Sequence, residues 1–227
     1  MTAVSDLWAG VFSSWVDEMQ AAIRGEADAD VPCGDCIACC TSSQFIHIAP
    51  DELDALKHIP KALLFPAPRM PKGNVLLGYD AQGRCPMLID SKCSIYEHRP
   101  RTCRTYDCRM FPATGIEPNA DDKPLIVKQA RRWTFTFPTA ADEVVRSAVL
   151  AAATFLRERA TELPDGAVPR NETQLAVLAF ELRALFIGND EAGIEFQLDP
   201  ELETVRDELI RRNTWGRANP GPRPDGE

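Results

Sequence analysis

Hydrophobic residues recur at helical spacing near the start of the chain, which opens MTAVSDLWAGVFSSWVDEMQ. This spacing predicts an amphipathic helix over residues 5–24, with Ser5 or Asp6 as its N-cap. The polar stretch GEADADVP that follows predicts a linker. The apolar positions that share the predicted helical face are Leu7, Trp8, Val11, Phe12, Trp15, Val16, Met19 and Ile23.

Between residues 33 and 112 the apolar pattern breaks into short pieces. QFIHI (44–48) alternates weakly and predicts a strand, and DELDALKHI predicts a short helix. Residues 74–96 predict up to three short strands, with turns at DAQG and DSK, and RPRTCRTYDC predicts a turn and a short helix. The proline-rich segment 60–73 predicts no regular structure. Because such short elements bury little apolar surface, a metal or a neighbouring helical layer must hold them together.

Helical periodicity returns in the C-terminal part of the chain. TFTF, within residues 127–137, is rich in β-forming residues and predicts a strand. Three helices are predicted after it from their start and stop signals. These signals are Thr139 with Asp142 as a capping box, Asn171 with Gln174 at the start and Gly188 at the end of the second helix, and Asp199 with Pro200 opening a helix to about Arg212.

Composition and charge indicate which partners are disfavoured and which cellular compartment is expected. The net charge of −9 over 227 residues disfavours nucleic acid and anionic membrane surfaces as partners. The N-terminus lacks the pattern of a secretory signal, and no apolar run is long enough to predict a transmembrane helix. We therefore expect a cytoplasmic protein, in which thiols stay reduced and disulfides are disfavoured.

The cysteines are the candidate chemistry of the chain. The segment CGDCIACC (33–40) contains two overlapping C-x2-C spacings, a turn that brings sulfur atoms together at zinc and iron–sulfur sites. Cys39 and Cys40 are adjacent, so their side chains tend to diverge; Cys40 then belongs to a second centre, bridges two metals or is free. All eight cysteines are predicted metal ligands: Cys33, Cys36, Cys39, Cys40, Cys85, Cys93, Cys103 and Cys108.

The spacing favours an iron–sulfur cluster, with [4Fe–4S] as the expected type, slightly over Zn²⁺. C-x2-C-x2-C with a remote Cys85-Pro86 partly matches the bacterial ferredoxin pattern, whereas zinc sites more often pair two separated knuckles. Residues 84–109 carry six basic and three acidic residues, and these cations are expected to compensate thiolate charge. His98 lies between cysteines and is the best candidate among the histidines for a substitute ligand or a hydrogen-bond donor.

The motifs together resemble a known family. CGDCIACC followed by CPMLIDSKCSIYEHRPRTCRTYDC resembles the CxxCxxCC (YkgJ-like) family of cysteine-cluster proteins, described as zinc- or iron-chelating. The resemblance covers about residues 33–112 and includes Ile95-Tyr96 and Arg99-Pro100. It implies metal binding, and it extends distantly to the cysteine domain of flagellin lysine-N-methylases, for which a cluster and a methyl donor are implied.

These observations predict an α+β fold, mostly helical, with a small, strand-poor cysteine-rich metal-binding region held by short hairpins and loops. The predicted segments are an N-terminal helix and linker (1–30), the cysteine-cluster region (31–112), a strand plus helical part packed on it (113–214) and a disordered tail (215–227). The leading functional hypothesis is a metal-binding protein. The alternatives are a methyltransferase-like enzyme and a zinc-stapled interaction module, and the sequence identifies no catalytic residue, protein partner or small-molecule substrate.

Overall fold

The computed structural model describes residues 6–29, 31–68, 70–190, 193–196 and 199–218. The fold is α+β and mostly helical, as the sequence pattern predicts. Its helices and strands, in chain order, are β1 (Leu7–Val11), α1 (Phe12–Ile23), β2 (Ile46–Ile48), α2 (Leu53–His58), β3 (Leu64–Pro66), β4 (Val75–Leu77), β5 (Leu88–Ile89), β6 (Lys92–Cys93), α3 (Arg101–Thr105), α4 (Met110–Thr114), α5 (Pro124–Ala130), β7 (Trp133–Thr136), α6 (Ala140–Glu158), α7 (Glu172–Leu182), β8 (Ile187–Asp190), β9 (Gly193–Phe196) and α8 (Leu202–Ala218).

The chain forms two compact units that interleave along the sequence. The first comprises residues 1–17, 109–119 and 130–227, and the second comprises residues 18–108 and 120–129. All eight cysteines belong to the second unit. The domain boundaries drawn from the sequence stay predictions. Of the predicted tail, residues 215–218 continue α8, and residues 219–227 lie outside the described part of the chain.

In the first unit, the expectation of one helix over residues 5–24 is wrong at its start. Residues 7–11 form β1, which pairs in parallel with β7, with a register shift between Trp8 and Gly10. Gly10 has a φ of +113°, a backbone conformation that a regular helix excludes. The helix α1 therefore begins at Phe12. Trp8, which the helical pattern placed on the buried face, is 67% exposed.

The core of the first unit is aromatic. The ring of Phe12 lies 5.6 Å from that of Trp15 and 5.1 Å from that of Phe135, and Trp15 contacts Phe180 edge-on at 5.5 Å. Phe12, Trp15 and Phe180 are at most 1% exposed, so α1, β7 and α7 share one apolar interior. Burial of side chains of this size is the dominant stabilising contribution to such a unit.

Helix starts in the first unit follow the predicted signals more closely than helix ends. Thr139 and Asp142 form the predicted capping box of α6, and the Asn171 side chain accepts the Gln174 N–H at the start of α7. The expectation that Gly188 ends this helix is wrong, because α7 ends at Leu182 and Gly188 lies within β8.

The second unit contains the short elements that surround the cysteines. Strands β2, β4 and β3 pair antiparallel in that order, and β5 and β6 form a separate hairpin. The proline-rich segment 60–73 does contain a strand, β3, because β3 lies at the sheet edge, where the missing N–H of Pro66 is tolerated. A small apolar cluster holds the unit together, formed by Ile48, Ala55, Ile59, Leu77, Met87 and Ile95, with Cys85 and Cys93 packed against it.

Candidate metal centre

All eight cysteines are thiols outside any disulfide in this structure. Cys108 is buried, Cys33 and Cys39 have exposed surface, and the other five are partly exposed. Free thiols that lie together are either reactive groups or metal ligands, and their mutual arrangement decides what they can hold.

The segment 33–40 is shaped by two local turns. The Cys36 N–H donates to the Cys33 carbonyl over 3.0 Å, and Gly34 between them has a φ of +54°, which favours glycine. This closes the first C-x2-C turn. Cys39 and Cys40 lie in a single 3₁₀ turn, Cys39–Thr41. In a 3₁₀ helix, consecutive side chains point about 120° apart, so the two adjacent thiols diverge.

Backbone hydrogen bonds bring the second group of cysteines to Cys40. The Cys85 N–H donates to the Cys40 carbonyl over 2.7 Å, and the Leu88 N–H donates to the Cys85 carbonyl over 3.0 Å. Leu88 pairs with Cys93 across the hairpin of β5 and β6. Asp90 and Ser91, the two residues between these strands, both have positive φ, as in the type I′ turn that favours tight hairpins. Cys85 and Cys93 are therefore held on one small, locally folded element.

Cys103 lies on α3, and Cys108 follows five residues after it. The position of α3 is fixed by bonds to the region of β2: the Thr102 hydroxyl donates to the His47 carbonyl over 2.8 Å. The buried Glu52 carboxylate accepts N–H groups from Ala49 and from Arg101 at the start of α3. A carboxylate at this helix start satisfies an N–H that the helix itself leaves unpaired.

Electrostatic proximity places Cys39 with a first set of thiols. Loss of hydration raises the pKa of Cys39 well above its usual value, and repulsion from Cys108, Cys33, Cys40 and Cys36 adds to the rise, in that order. Cys39 keeps exposed surface, so the repulsion from other thiols, more than burial, indicates which thiols are its neighbours. Among the thiols that raise the pKa of Cys39, Cys108 and Cys33 contribute most.

Cys40 is placed with a second set. Burial raises the pKa of Cys40 to about 11, with repulsion from Cys85 and Cys93 next in importance. Burial also raises the pKa of Cys103 to about 12, with repulsion from Cys40, Cys85 and Cys93. For Cys85, burial is again the first cause of a raised pKa, and Cys93 contributes repulsion. Cys40 and Cys103 thus share Cys85 and Cys93 as thiols that raise their pKa, Cys103 also has Cys40, and Cys36 and Cys33 contribute less to the pKa of Cys40.

Tyr106 lies beside the first set and was missed by sequence reasoning. Its hydroxyl oxygen is buried and has no hydrogen-bond partner within the described residues. Burial raises the pKa of this phenol well above its usual value, and repulsion from Cys39 and Cys108 adds to the rise. An unpaired buried O–H group next to thiols is a donor without an acceptor, which a thiolate centre would provide. Its only sequence signal is its position between Cys103 and Cys108.

Fewer cations of the segment 84–109 act on the thiols than its composition predicts, because several of its arginines pair with carboxylates. Arg84, Arg101 and Arg104 form ion pairs of 2.6–2.9 Å with carboxylates of the same unit, Asp80, Asp51 and Asp28 respectively. Arg99 is the cation that lowers the pKa of Cys103, opposing the burial of that thiol. Its guanidinium also lies 3.7 Å from the ring centre of Tyr96.

His98, the predicted substitute ligand or hydrogen-bond donor, contacts side chains other than the thiols. Its Nδ1 lies 2.7 Å from Asp54 Oδ2, and its ring stacks on that of His58 with 3.5 Å between ring centres. Sequence reasoning treated His58 as an ordinary residue and did not single out Asp54. The pairing joins α2 to the turn Tyr96–His98, a contact between segments far apart in the chain that spacing does not reveal.

The cysteine-rich region was compared with models of known protein families. Residues 32–129 match the model of the CxxCxxCC family, described as "Putative zinc- or iron-chelating domain". Residues 32–129 are therefore similar to a CxxCxxCC domain. The match confirms the resemblance drawn from the motifs and includes all eight cysteines. No curated protein and no solved structure matches the chain. Within the part of the chain that the structure describes, every helix is too short or too polar to cross a bilayer.

The donor set of the CxxCxxCC domain fits a zinc or iron centre. Soft thiolates are the ligands that Zn²⁺ and iron–sulfur clusters prefer, and both are held by four protein ligands at a structural site. The unpaired Tyr106 hydroxyl adds a donor suited to an anionic thiolate centre.

Proposed function

We propose that the CxxCxxCC domain holds two metal centres, each bound by four cysteine thiolates. The first set is Cys33, Cys36, Cys39 and Cys108, and the second set is Cys40, Cys85, Cys93 and Cys103. The observation that carries this proposal is the single 3₁₀ turn that holds Cys39 and Cys40, whose pKa values are raised chiefly by different thiols, Cys108 for Cys39 and Cys85 for Cys40. Of the three roles left open for Cys40, membership of a second centre is the one that this supports.

The two sets use the chain in different ways. The first takes three thiols from the loop 33–39 and closes with the buried Cys108. The second takes Cys40 from the same loop and adds the hairpin cysteines and Cys103 of α3. Binding at both sets would tie the segment 33–40 to elements far along the chain, which is how a metal supplies folding energy to a region with a small apolar core.

For the metal itself, we propose an iron–sulfur cluster, of the [4Fe–4S] type, ahead of Zn²⁺. The support is the C-x2-C-x2-C spacing of Cys33, Cys36 and Cys39, which resembles the ferredoxin ligand loop more than a pair of zinc knuckles. Such a centre requires reduced thiols and so a reducing compartment, which supports a cytoplasmic location. Two centres on one domain suit electron transfer or metal storage, and the partner or substrate is left open.

Metal analysis of protein purified without oxygen tests this proposal. We expect iron together with acid-labile sulfide, and a broad visible absorption that bleaches on reduction. A colourless protein with zinc and no sulfide would contradict the iron–sulfur assignment and leave the two thiolate sets intact. Protein purified in this way that contains neither iron nor zinc would contradict both parts.

A further inference from the structure

A second group of metal-type side chains lies in the same unit as the cysteines, on α2 and the turn Tyr96–His98. The donor atoms of Asp54, His58 and His98 all lie within 4.8 Å of one another. Asp54 and His58 are one helical turn apart on α2, so their side chains share a face. His98 reaches the same point from the turn before Arg99.

The two Nδ1 atoms face the Asp54 carboxylate. His98 Nδ1 lies 2.7 Å from Asp54 Oδ2. His58 Nδ1 lies 3.5 Å from Asp54 Oδ1 and donates to the backbone carbonyl of Asp54 over 2.9 Å. In a tetrahedral site with metal–nitrogen and metal–oxygen bonds of 2.0–2.2 Å, neighbouring donor atoms are about 3.4 Å apart. The two separations from the carboxylate bracket that value. A bound ion would replace the proton between His98 and Asp54, and the His58 ring would rotate away from the Asp54 carbonyl to bind it.

The stacking of the two rings supports the same assignment. The imidazole planes are 4° from parallel, with 3.5 Å between ring centres. The stacking therefore holds both imidazole rings beside the same carboxylate. All three side chains are open to solvent, with exposed fractions of 33% for His58, 39% for His98 and 66% for Asp54.

We propose that Asp54, His58 and His98 form an exchangeable site for a divalent transition-metal ion, separate from the thiolate sets. Two imidazoles and one carboxylate are a donor set between hard and soft ligands, which suits Zn²⁺, Ni²⁺ and Cu²⁺ better than Mg²⁺ or Ca²⁺. Three protein ligands leave coordination positions to water, and solvent exposure makes the bound ion easy to exchange. The site does not depend on which metal the cysteines hold.

Equilibrium dialysis of the metal-replete protein against Ni²⁺ tests this site. We expect one Ni²⁺ per chain beyond the resident metal, bound without thiolate-to-nickel charge-transfer absorption. The variants His58→Gln, His98→Gln and Asp54→Asn should each weaken Ni²⁺ binding at least about tenfold, and the double variant H58Q/H98Q should abolish it. His47→Gln is the matched control, because His47 Nε2 bonds to Asn74 Oδ1 outside the group.

Two results would overturn the site. One is that no Ni²⁺ binds beyond the resident metal, and the other is that H58Q/H98Q binds Ni²⁺ as tightly as the unchanged protein. If the proposed thiolate centres were wrong and the thiols were vacant, the Ni²⁺ binding results would differ from both of these. Vacant thiols would then bind Ni²⁺ with charge-transfer absorption in every histidine variant, while the histidine-dependent ion would still be lost from H58Q/H98Q alone.

Discussion

The backbone N–H of Cys85 donates a hydrogen bond to the carbonyl oxygen of Cys40 over 2.7 Å. This bond joins the segment 33–40 to the hairpin of β5 and β6 at Cys40, the one position of CGDCIACC that we assign to the proposed second thiol set. Cys39, one residue earlier, has Cys108 as its leading thiol neighbour. The boundary between the two proposed sets therefore falls between two adjacent residues.

The division of the cysteines is testable with paired serine variants. Cys39→Ser and Cys40→Ser should each reduce the metal content per chain by about half, because each removes a ligand from a different four-thiolate centre. Each variant should also lower the thermal stability of the metal-loaded protein. Metal analysis and thermal unfolding of the two variants, purified side by side, measure both effects.

Double variants separate this division from any other. C39S/C108S changes one proposed set twice and should lose no more metal than Cys39→Ser alone. C39S/C103S changes both sets and should lose nearly all of it, since effects within one site are not additive but effects at separate sites are. If instead C39S/C108S lost the metal and C39S/C103S kept half, the two sets would be wrongly drawn.

Tyr106→Phe should lower stability only when metal is bound. In chelator-treated protein, removing the unpaired buried hydroxyl should leave stability unchanged or raise it, by up to about 1–3 kcal/mol. In metal-loaded protein, the same change removes a hydrogen-bond donor to a thiolate centre and should lower stability by about 1.5–3 kcal/mol. Chemical unfolding in both states measures the difference.

The control for this change is Tyr96→Phe. Tyr96 is 53% exposed and stacks with Arg99, so its hydroxyl is solvated in either state and its removal should have little effect. A Tyr106→Phe variant that shifts the stability of both states equally would show that the phenol does not interact with the first thiol set.

The sequence allowed the candidate ligands to be named but not divided. The spacing predicts every cysteine as a metal ligand, and the adjacency of Cys39 and Cys40 raises the question of a second centre. The answer depends on the 3₁₀ turn and on the bond from Cys85 to Cys40, which are contacts of the folded chain. Likewise, His58 and His98 have ordinary spacing, and only the packing of α2 on the turn Tyr96–His98 brings them together.

Phe12→Ala should destabilise the first unit by about 3–5 kcal/mol, because it removes a fully buried ring from the aromatic core. Trp8→Ala is the matched control: Trp8 is larger but 67% exposed on β1, so its removal should cost much less. Urea unfolding of both variants measures the costs. Equal costs would mean that residues 7–11 are buried as the helical pattern implied, which would contradict β1.

This pair of residues also shows where local pattern fails. Trp8 and Phe12 both fit one helical face, so the apolar spacing alone assigns them the same environment. The strand arises from pairing with β7, far along the chain, and from the positive φ of Gly10. Signals that act within a few residues, such as the Thr139–Asp142 capping box, were predicted correctly because their partners are visible in the sequence.

Asp142 should make the stability of the first unit depend on pH. Its buried carboxylate accepts the N–H of Ser13, at the start of α1, over 2.9 Å, and the N–H of Thr139 over 2.9 Å. The hydrogen bonds from Ser13 and then Thr139 hold the pKa of Asp142 well below its usual value. Because the folded-state pKa is lowered, this stabilisation is complete above the unfolded pKa of about 3.9 and is lost as the pH falls below it.

Asp142→Asn tests this dependence, since the amide keeps the shape of the carboxylate but neither its charge nor its titration. We expect the variant to be less stable than the unchanged protein at about pH 7, and the difference to shrink as the pH falls below about 4. Urea unfolding followed by tryptophan fluorescence measures it, because the buried Trp15 reports on this unit. Glu143→Gln, an exposed carboxylate in the same helical turn, is the control and should show little difference at any pH. A difference between Asp142→Asn and the unchanged protein that stays constant down to about pH 2 would show that the charge of Asp142 does not stabilise the junction of α1 and α6.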